Sequence, residues 1–228
     1  MLKEHGFGQF TTRTAWRHDH DRIDVINFQS FNSYQASVIG CTTYSFALNL
    51  GCYLLYIPGQ HGPSVIKEGN GLLLPKESLC HMRGRLRPQK RQKLLQRFLP
   101  QRAPDDIWAI HAGGKNLESS MAEADARLGS QGLAWFRQFD EPCEVLRILT
   151  SEAERMGELW GFGNNPSPNR SYCTGYAALK TGQFGLAAQQ LKAAVDSGCY
   201  GAVHGQLLTD IQRAANPSFK RTPISSNV

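Results

Sequence analysis

The stretch TAWRHDHDRIDVINFQSF at residues 14–31, followed by TYSFALNLGCYLLYI at 43–57, decides the fold class. Apolar and polar residues alternate with a period of two, first over 11–18 and then over 23–31, which is the rhythm of half-buried strands. The polar RHDHDR between them is short enough for a hairpin turn. The run 42–57 is apolar at odd and even positions alike, as expected of a strand covered on both faces, and it is the candidate central strand. FNSYQASVIG at 31–40 reads as a longer, looser link.

Working outward, the glycine- and proline-rich segment 58–78 has no sustained period and reads as a long loop. LCHMRGRLRP at 79–88 reads as a fourth strand, and DDIWAIHA at 105–112 as a short fifth. After Gly114, NLESSMAEADARLGS, GLAWFRQF and EPCEVLRILTSEAERMGELWGF place apolar residues three and four apart, so they are expected to be helices, with Pro142 tolerated near a helix start. The expected fold is therefore α+β: an antiparallel sheet of about five strands packed with helices, followed by a helical C-terminal part. The boundaries are a domain over 1–140, helices over 141–215 and a tail over 216–228.

Composition agrees with a globular chain. It has 228 residues, 41% apolar, 19% charged and 10% aromatic, enough to bury a core and too apolar for disorder. No apolar run approaches the ~20 residues that span a bilayer. The start MLKEHGFGQF has no signal-peptide core, so a soluble cytoplasmic protein is expected. Six cysteines, Cys41, Cys52, Cys80, Cys143, Cys173 and Cys199, form no CxxC pair and no zinc-ligand spacing. Buried free thiols are expected rather than three disulfides.

Two patterns resemble known ones. Gly6–Phe7, Asn27 to Gln29, Phe46 with Asn49 to Gly51, Arg83 with Arg85, and Trp108 follow in the order Gly-Phe, NFQ strand, F-x-x-N-L-G strand, Arg-x-Arg strand and Trp strand. Over residues 1–140 this resembles the bacterial family of domain of unknown function 4304. The resemblance implies an α+β fold and no established activity, so no functional residue is carried over from it. Members have a full helix before the Gly-Phe pair where this chain has only its last turn, which reads as a shortened start. In GYAALKTGQFGLAAQQLKAAV, residues Gly175, Gly182, Phe184, Ala187, Leu191 and Ala194 stand where a tetratricopeptide-like hairpin places its packing residues. Small residues there let two helices approach while Phe184 and Leu191 fill the seam.

Charge is the strongest functional signal. Residues 76–102 hold nine Lys/Arg against the single acid Glu77, a net +8 in a chain whose total is +6, so the remainder is slightly acidic. Alternation would put His81, Arg83, Arg85 and Arg87 on one face of a strand, and KRQKLLQRF would extend the charge through Lys90, Arg91, Lys93 and Arg97 on a short helix. Guanidinium forks at that spacing suit carboxylates or phosphates. They could equally pair with the chain's own acids, which number nine between Glu118 and Glu158. An acidic protein partner is favoured over nucleic acid, because no aromatics at stacking spacing accompany the ladder.

Other candidates are weaker. HDHD at 18–21 offers two same-side histidines but no third ligand, so polar turn residues explain it and no metal is assigned. Cys80 and His81, adjacent in a strand, face opposite ways and cannot form a nucleophile pair. Asn27, Gln29 and Asn49 are amides in apolar strands that either fix the sheet or line a pocket. No phosphate loop, GxSxG elbow or HExxH helix is present, and no cofactor is expected. The favoured function is a non-catalytic protein-binding module of immunity or adaptor type. The alternatives are a nucleic-acid-associated protein, or an enzyme whose polar pocket lies near the three amides.

Overall fold

The computed structural model describes residues 2–60, 66–89, 104–151, 159–162 and 167–216. Two compact units are formed, one from Met1–Leu55 and Ile66–Asp140, the other from Tyr56–Val65 and Glu141–Val228.

The first unit is built on a five-stranded antiparallel sheet. Its strands are β1 (Gln9–Phe10), β2 (Thr14–His18), β3 (Arg22–Ser30), β4 (Phe46–Leu54) and β7 (Met82–Leu86), in the spatial order β1-β2-β3-β4-β7. Helices follow: α2 (Leu117–Arg127), a π-helical turn over Leu128–Gly132, α3 (Leu133–Arg137) and, in the second unit, α4 (Pro142–Thr150), α5 (Pro168–Lys180), α6 (Phe184–Asp196) and α7 (His204–Ala215). The α+β expectation is met, with helices after the sheet.

Four local expectations are corrected. The supposed loose link carries helix α1 (Ser33–Ile39), opened by a capping box in which Asn32 Oδ1 accepts from the Gln35 N–H at 2.8 Å and Gln35 Oε1 from the Asn32 N–H at 3.1 Å. It closes on Gly40 at φ 77°. The supposed loop carries a small hairpin, β5 (Lys67–Gly69) and β6 (Leu72–Leu74), turning at Asn70 and Gly71, both at positive φ, as a two-residue hairpin turn demands. The expected fifth strand reduces to one bridge, Phe46 to Trp108, and Gln9–Phe10 supplies the fifth strand instead. β4 is buried along its whole length, yet the middle place in the sheet belongs to β3. Residues 90–98, 152–158, 163–166 and the tail from 217 lie outside the described residues.

The two sheet faces are covered differently. One packs Ala15, Ile26, Leu48, Leu50 and Leu86 against Phe7, Trp108, Ala124, Leu128, Leu133 and Phe136, so α2 and α3 shield it. Phe46 stacks on Trp108 at 5.4 Å between ring centroids. The same face buries a charge cluster at the β2–β3 hairpin. Asp24, fully buried, lies 2.6 Å from Arg17 and 3.3 Å from Arg22, and Arg22 also binds the Asp140 carboxylate and the Phe136 carbonyl. Burial pushes the Asp24 carboxyl up from its ordinary range, against the pull of Arg22 and Arg17. Removing one partner of such a buried pair typically costs roughly 3–5 kcal/mol.

The opposite face is covered at both ends among the described residues. The β5–β6 hairpin lies over one end, where Ile66, Leu73 and Leu74 pack on Trp16, Ile23, Val25 and Tyr53. Trp16 Nε1 donates to the Pro75 carbonyl at 2.8 Å, and His18 Nε2 bonds the Leu73 carbonyl at 2.8 Å. His18 is thereby a fastener of the hairpin, and no group of three metal-ligating side chains forms among the described residues. At the other end α1 packs Ala36 and Ile39 on Phe31, Ala47 and Ile107.

In the second unit α5 and α6 form a hairpin turning at Gly182, φ 75°, with Ala187, Leu191 and Ala194 buried in the seam. Tyr172 through Ala178 of α5 are all buried, so this helix is enclosed by its neighbours. All six cysteines are free; Cys52, Cys80 and Cys173 are buried, whereas Cys143 and Cys199 are exposed. A Cβ on Gly175 would stand 2.5 Å from Leu191 Cδ2 and 3.1 Å from the Leu191 backbone nitrogen. Gly175→Ala is therefore expected to lose about 1–3 kcal/mol of stability in denaturant unfolding, despite its better helix propensity.

Candidate functional site

Because side chains alternate along strands, register decides which polar residues meet. Thr14, Asn27, Asn49 and Arg85 are consecutive Cα partners across β2, β3, β4 and β7. They form one row across the middle of the sheet, on the face covered at its two ends by the hairpin and by α1.

Two separate sets of hydrogen bonds run through it, Asn27 with Thr14 on one side and Asn49 with Gln29 and Arg85 on the other. Asn27 Nδ2 donates to Thr14 Oγ1 at 3.0 Å, and Asn49 Nδ2 donates to Gln29 Oε1 at 3.0 Å. The Arg85 guanidinium engages all three of its nitrogens: Nε donates to Asn49 Oδ1 at 2.7 Å, Nη1 to Asp106 Oδ2 at 2.7 Å and Nη2 to Gln29 Oε1 at 3.0 Å. The fork is planar and the two amides and the carboxylate are fixed by the backbone, so the site is a clamp around one cation.

One register step along, Val25, Gly51 and Arg83 are partners. A Cβ on Gly51 would stand 2.7 Å from Cys80 Sγ and 3.3 Å from Glu77 Cγ. The absent side chain is what lets the 3-10 turn Glu77–Leu79 lie down on the sheet, and from there Glu77 Oε1 accepts from Arg83 Nε at 2.8 Å. Burial pushes the Cys80 thiol well up, with the Glu77 charge adding to it, and burial with the charge of Asp24 does the same to Cys52. Neither is poised as a nucleophile.

The expected arginine ladder is thus only partly a surface. Arg83 and Arg85 do share a face, but each is met by an internal carboxylate, and the Arg85 side chain is 14% exposed. His81 precedes the strand and is buried rather than presented to solvent: its ring is 4.5 Å from that of Tyr53, and its Nδ1 accepts the Leu54 N–H at 3.0 Å. Arg87, beyond the strand end, is exposed. Two residues later the Gln89 N–H donates to Glu123 Oε1 of α2 at 2.5 Å. Lys90, Arg91, Lys93 and Arg97 lie outside the described residues.

Asn27, Gln29 and Asn49, picked out as lone amides, are brought together with Arg85, whereas Glu77 and Asp106 were missed as its companions and those of Arg83. The signal for Glu77 was present, since it is the single acid inside the basic segment. Nothing in sequence distance marks Asp106, which is set in place by the Phe46–Trp108 bridge two residues on. Arg85→Lys keeps the charge but cannot serve three acceptors in one plane. It is expected to lower stability by about 1–3 kcal/mol in denaturant unfolding.

The residues on which the family resemblance rests divide between the two faces. Asn27, Gln29, Asn49, Gly51, Arg83 and Arg85 build the polar face, while Phe7, Phe46 and Trp108 lie in the apolar core opposite. No curated protein and no solved structure matches the chain. Residues 1–138, more than half of the chain, match the family described as Domain of unknown function (DUF4304). The chain belongs to the DUF4304 family.

Proposed function

We propose that the protein is a non-catalytic protein-binding module that meets an acidic partner through the basic segment beginning at Arg87. The carrying observation is the division of its arginines. Arg83 and Arg85 are held by Glu77 and Asp106, whereas Arg87, just past the end of β7, is exposed. From there to residue 102 the sequence contains six Lys/Arg (Arg87, Lys90, Arg91, Lys93, Arg97 and Arg102) and no acid. A cluster of one sign on an otherwise mildly acidic chain steers encounter with a partner of opposite sign. Among the described residues, the singled-out polar groups have internal partners: Asn49 and Gln29 each other and Arg85, Asn27 the Thr14 hydroxyl, Asp24 two arginines, while burial pushes the Cys52 and Cys80 thiols up.

Two charge-reversed sets separate this proposal from a role for the strand arginines. Arg87→Glu, Lys90→Glu and Arg91→Glu together are expected to leave unfolding unchanged and to abolish capture of a stoichiometric, nuclease-resistant partner from the cells of origin. Arg83→Glu with Arg85→Glu is expected to unfold the sheet instead. Full capture by the first set would overturn the proposal. Capture of nuclease-sensitive material with steep salt dependence would replace it by nucleic-acid binding.

A further inference from the structure

The second unit includes a segment remote in sequence from its helices. Residues 56–60 follow β4 directly, yet they group with the helices and lie along α5. Tyr172 donates its hydroxyl to the Pro58 carbonyl at 2.9 Å. The Gln60 side-chain amide donates to Asn169 Oδ1, and Asn169 Nδ2 is in turn anchored on the Gly161 carbonyl at 2.9 Å. Lys180 Nζ stands 5.7 Å from the centre of the Tyr56 ring. Between these contacts Ile57 is buried, only 1% exposed.

The spacing of the contacts carries the argument. Asn169 and Lys180 are separated by ~16 Å at ~1.5 Å per helical residue. The order is reversed, Tyr56 at the end of α5 that holds Lys180 and Gln60 at the end that holds Asn169, so the segment, which turns at Tyr56 and bends at Ile57, runs antiparallel to the helix. Positions 169, 172 and 180 fall on one side of a 3.6-residue helix. Tyr172 is held ready for its part, fully buried, with its ring stacked on Tyr200 at 4.6 Å and edge-on to Tyr176 at 5.0 Å.

A main-chain carbonyl, a side-chain amide, an aromatic ring and a buried aliphatic anchor together make up a recognised segment with one buried anchor and polar contacts around it. We infer that this side of α5 is a peptide-receiving site for a Tyr-Ile-Pro-Gly-Gln segment, filled in cis by the chain's own residues 56–60. The same site accepts that segment in trans once the cis copy is withdrawn. This inference is independent of the basic segment.

The test uses the full chain. Residues 56–60 are replaced by a Gly-Ser linker of equal length, and binding of a fluorescein-labelled peptide with the sequence of residues 54–61 is read by anisotropy. The opened chain is expected to bind at least tenfold more tightly than the unaltered chain, and Tyr172→Phe with Asn169→Ala in the opened chain to remove most of that gain. A folded opened chain that ignores the peptide would overturn the inference. Should the linker variant not fold, Asn169→Ala with Lys180→Ala in the otherwise unaltered chain decides. Chymotryptic cleavage after Tyr56 is expected to accelerate several-fold, and an unchanged rate overturns the inference equally.

Discussion

A charged group taken from water must be met by a partner, and this sheet sets five such groups on its two faces: Arg17, Arg22, Asp24, Arg83 and Arg85. Satisfying them fixes much of the rest. Asp24 ties both strands of the first hairpin to each other, and Arg22 carries the tie to Phe136 and Asp140 after α3. On the other face, Arg83 requires Glu77, which requires the 3-10 turn to lie on the sheet, which requires Gly51 to be without a side chain. Arg85 requires Asn49, Gln29 and Asp106, and so sets the register of β3, β4 and β7. A one-residue slip in any of these strands would send its polar residues into the apolar core.

The physical meaning of the family pattern follows from the same bookkeeping. Its polar members are held by internal partners, Asn27 by Thr14, Asn49 and Gln29 by each other and Arg85, and Arg83 by Glu77, and its aromatic members belong to the core beneath. They specify a fold.

Much of the sheet was legible because it is written in a local period. The strands of 14–31 alternate, the run 43–57 is apolar on both faces as a covered strand must be, and the hairpin joining the first two is announced by its polar turn. The small elements were missed for a different reason. Asn32 and Gln35 stand at capping-box spacing, and Asn70-Gly71 is a hairpin turn pair, but α1 has seven residues and each strand of the hairpin three, too few for periodicity to show. Arg83 and Arg85 were correctly placed on one face, whereas their partners were not seen, since Asp106 is brought to Arg85 only by the tertiary path of the chain. Residues 56–57 read as the end of the strand and 58–60 as the start of a loop, because their partners on α5 lie more than a hundred residues away.

The most direct measurement is a double-mutant cycle on Arg85 and Asp106, with Arg85→Gln, Asp106→Asn and both together in the full chain, each followed by denaturant unfolding and by capture of the partner. If the motif residues are scaffolding, the two singles are strongly non-additive, with a coupling of about 1–3 kcal/mol, and every variant that remains folded retains the partner. Additive singles of unaltered stability that lose the partner would contradict this, and would return the strand arginines to the binding surface.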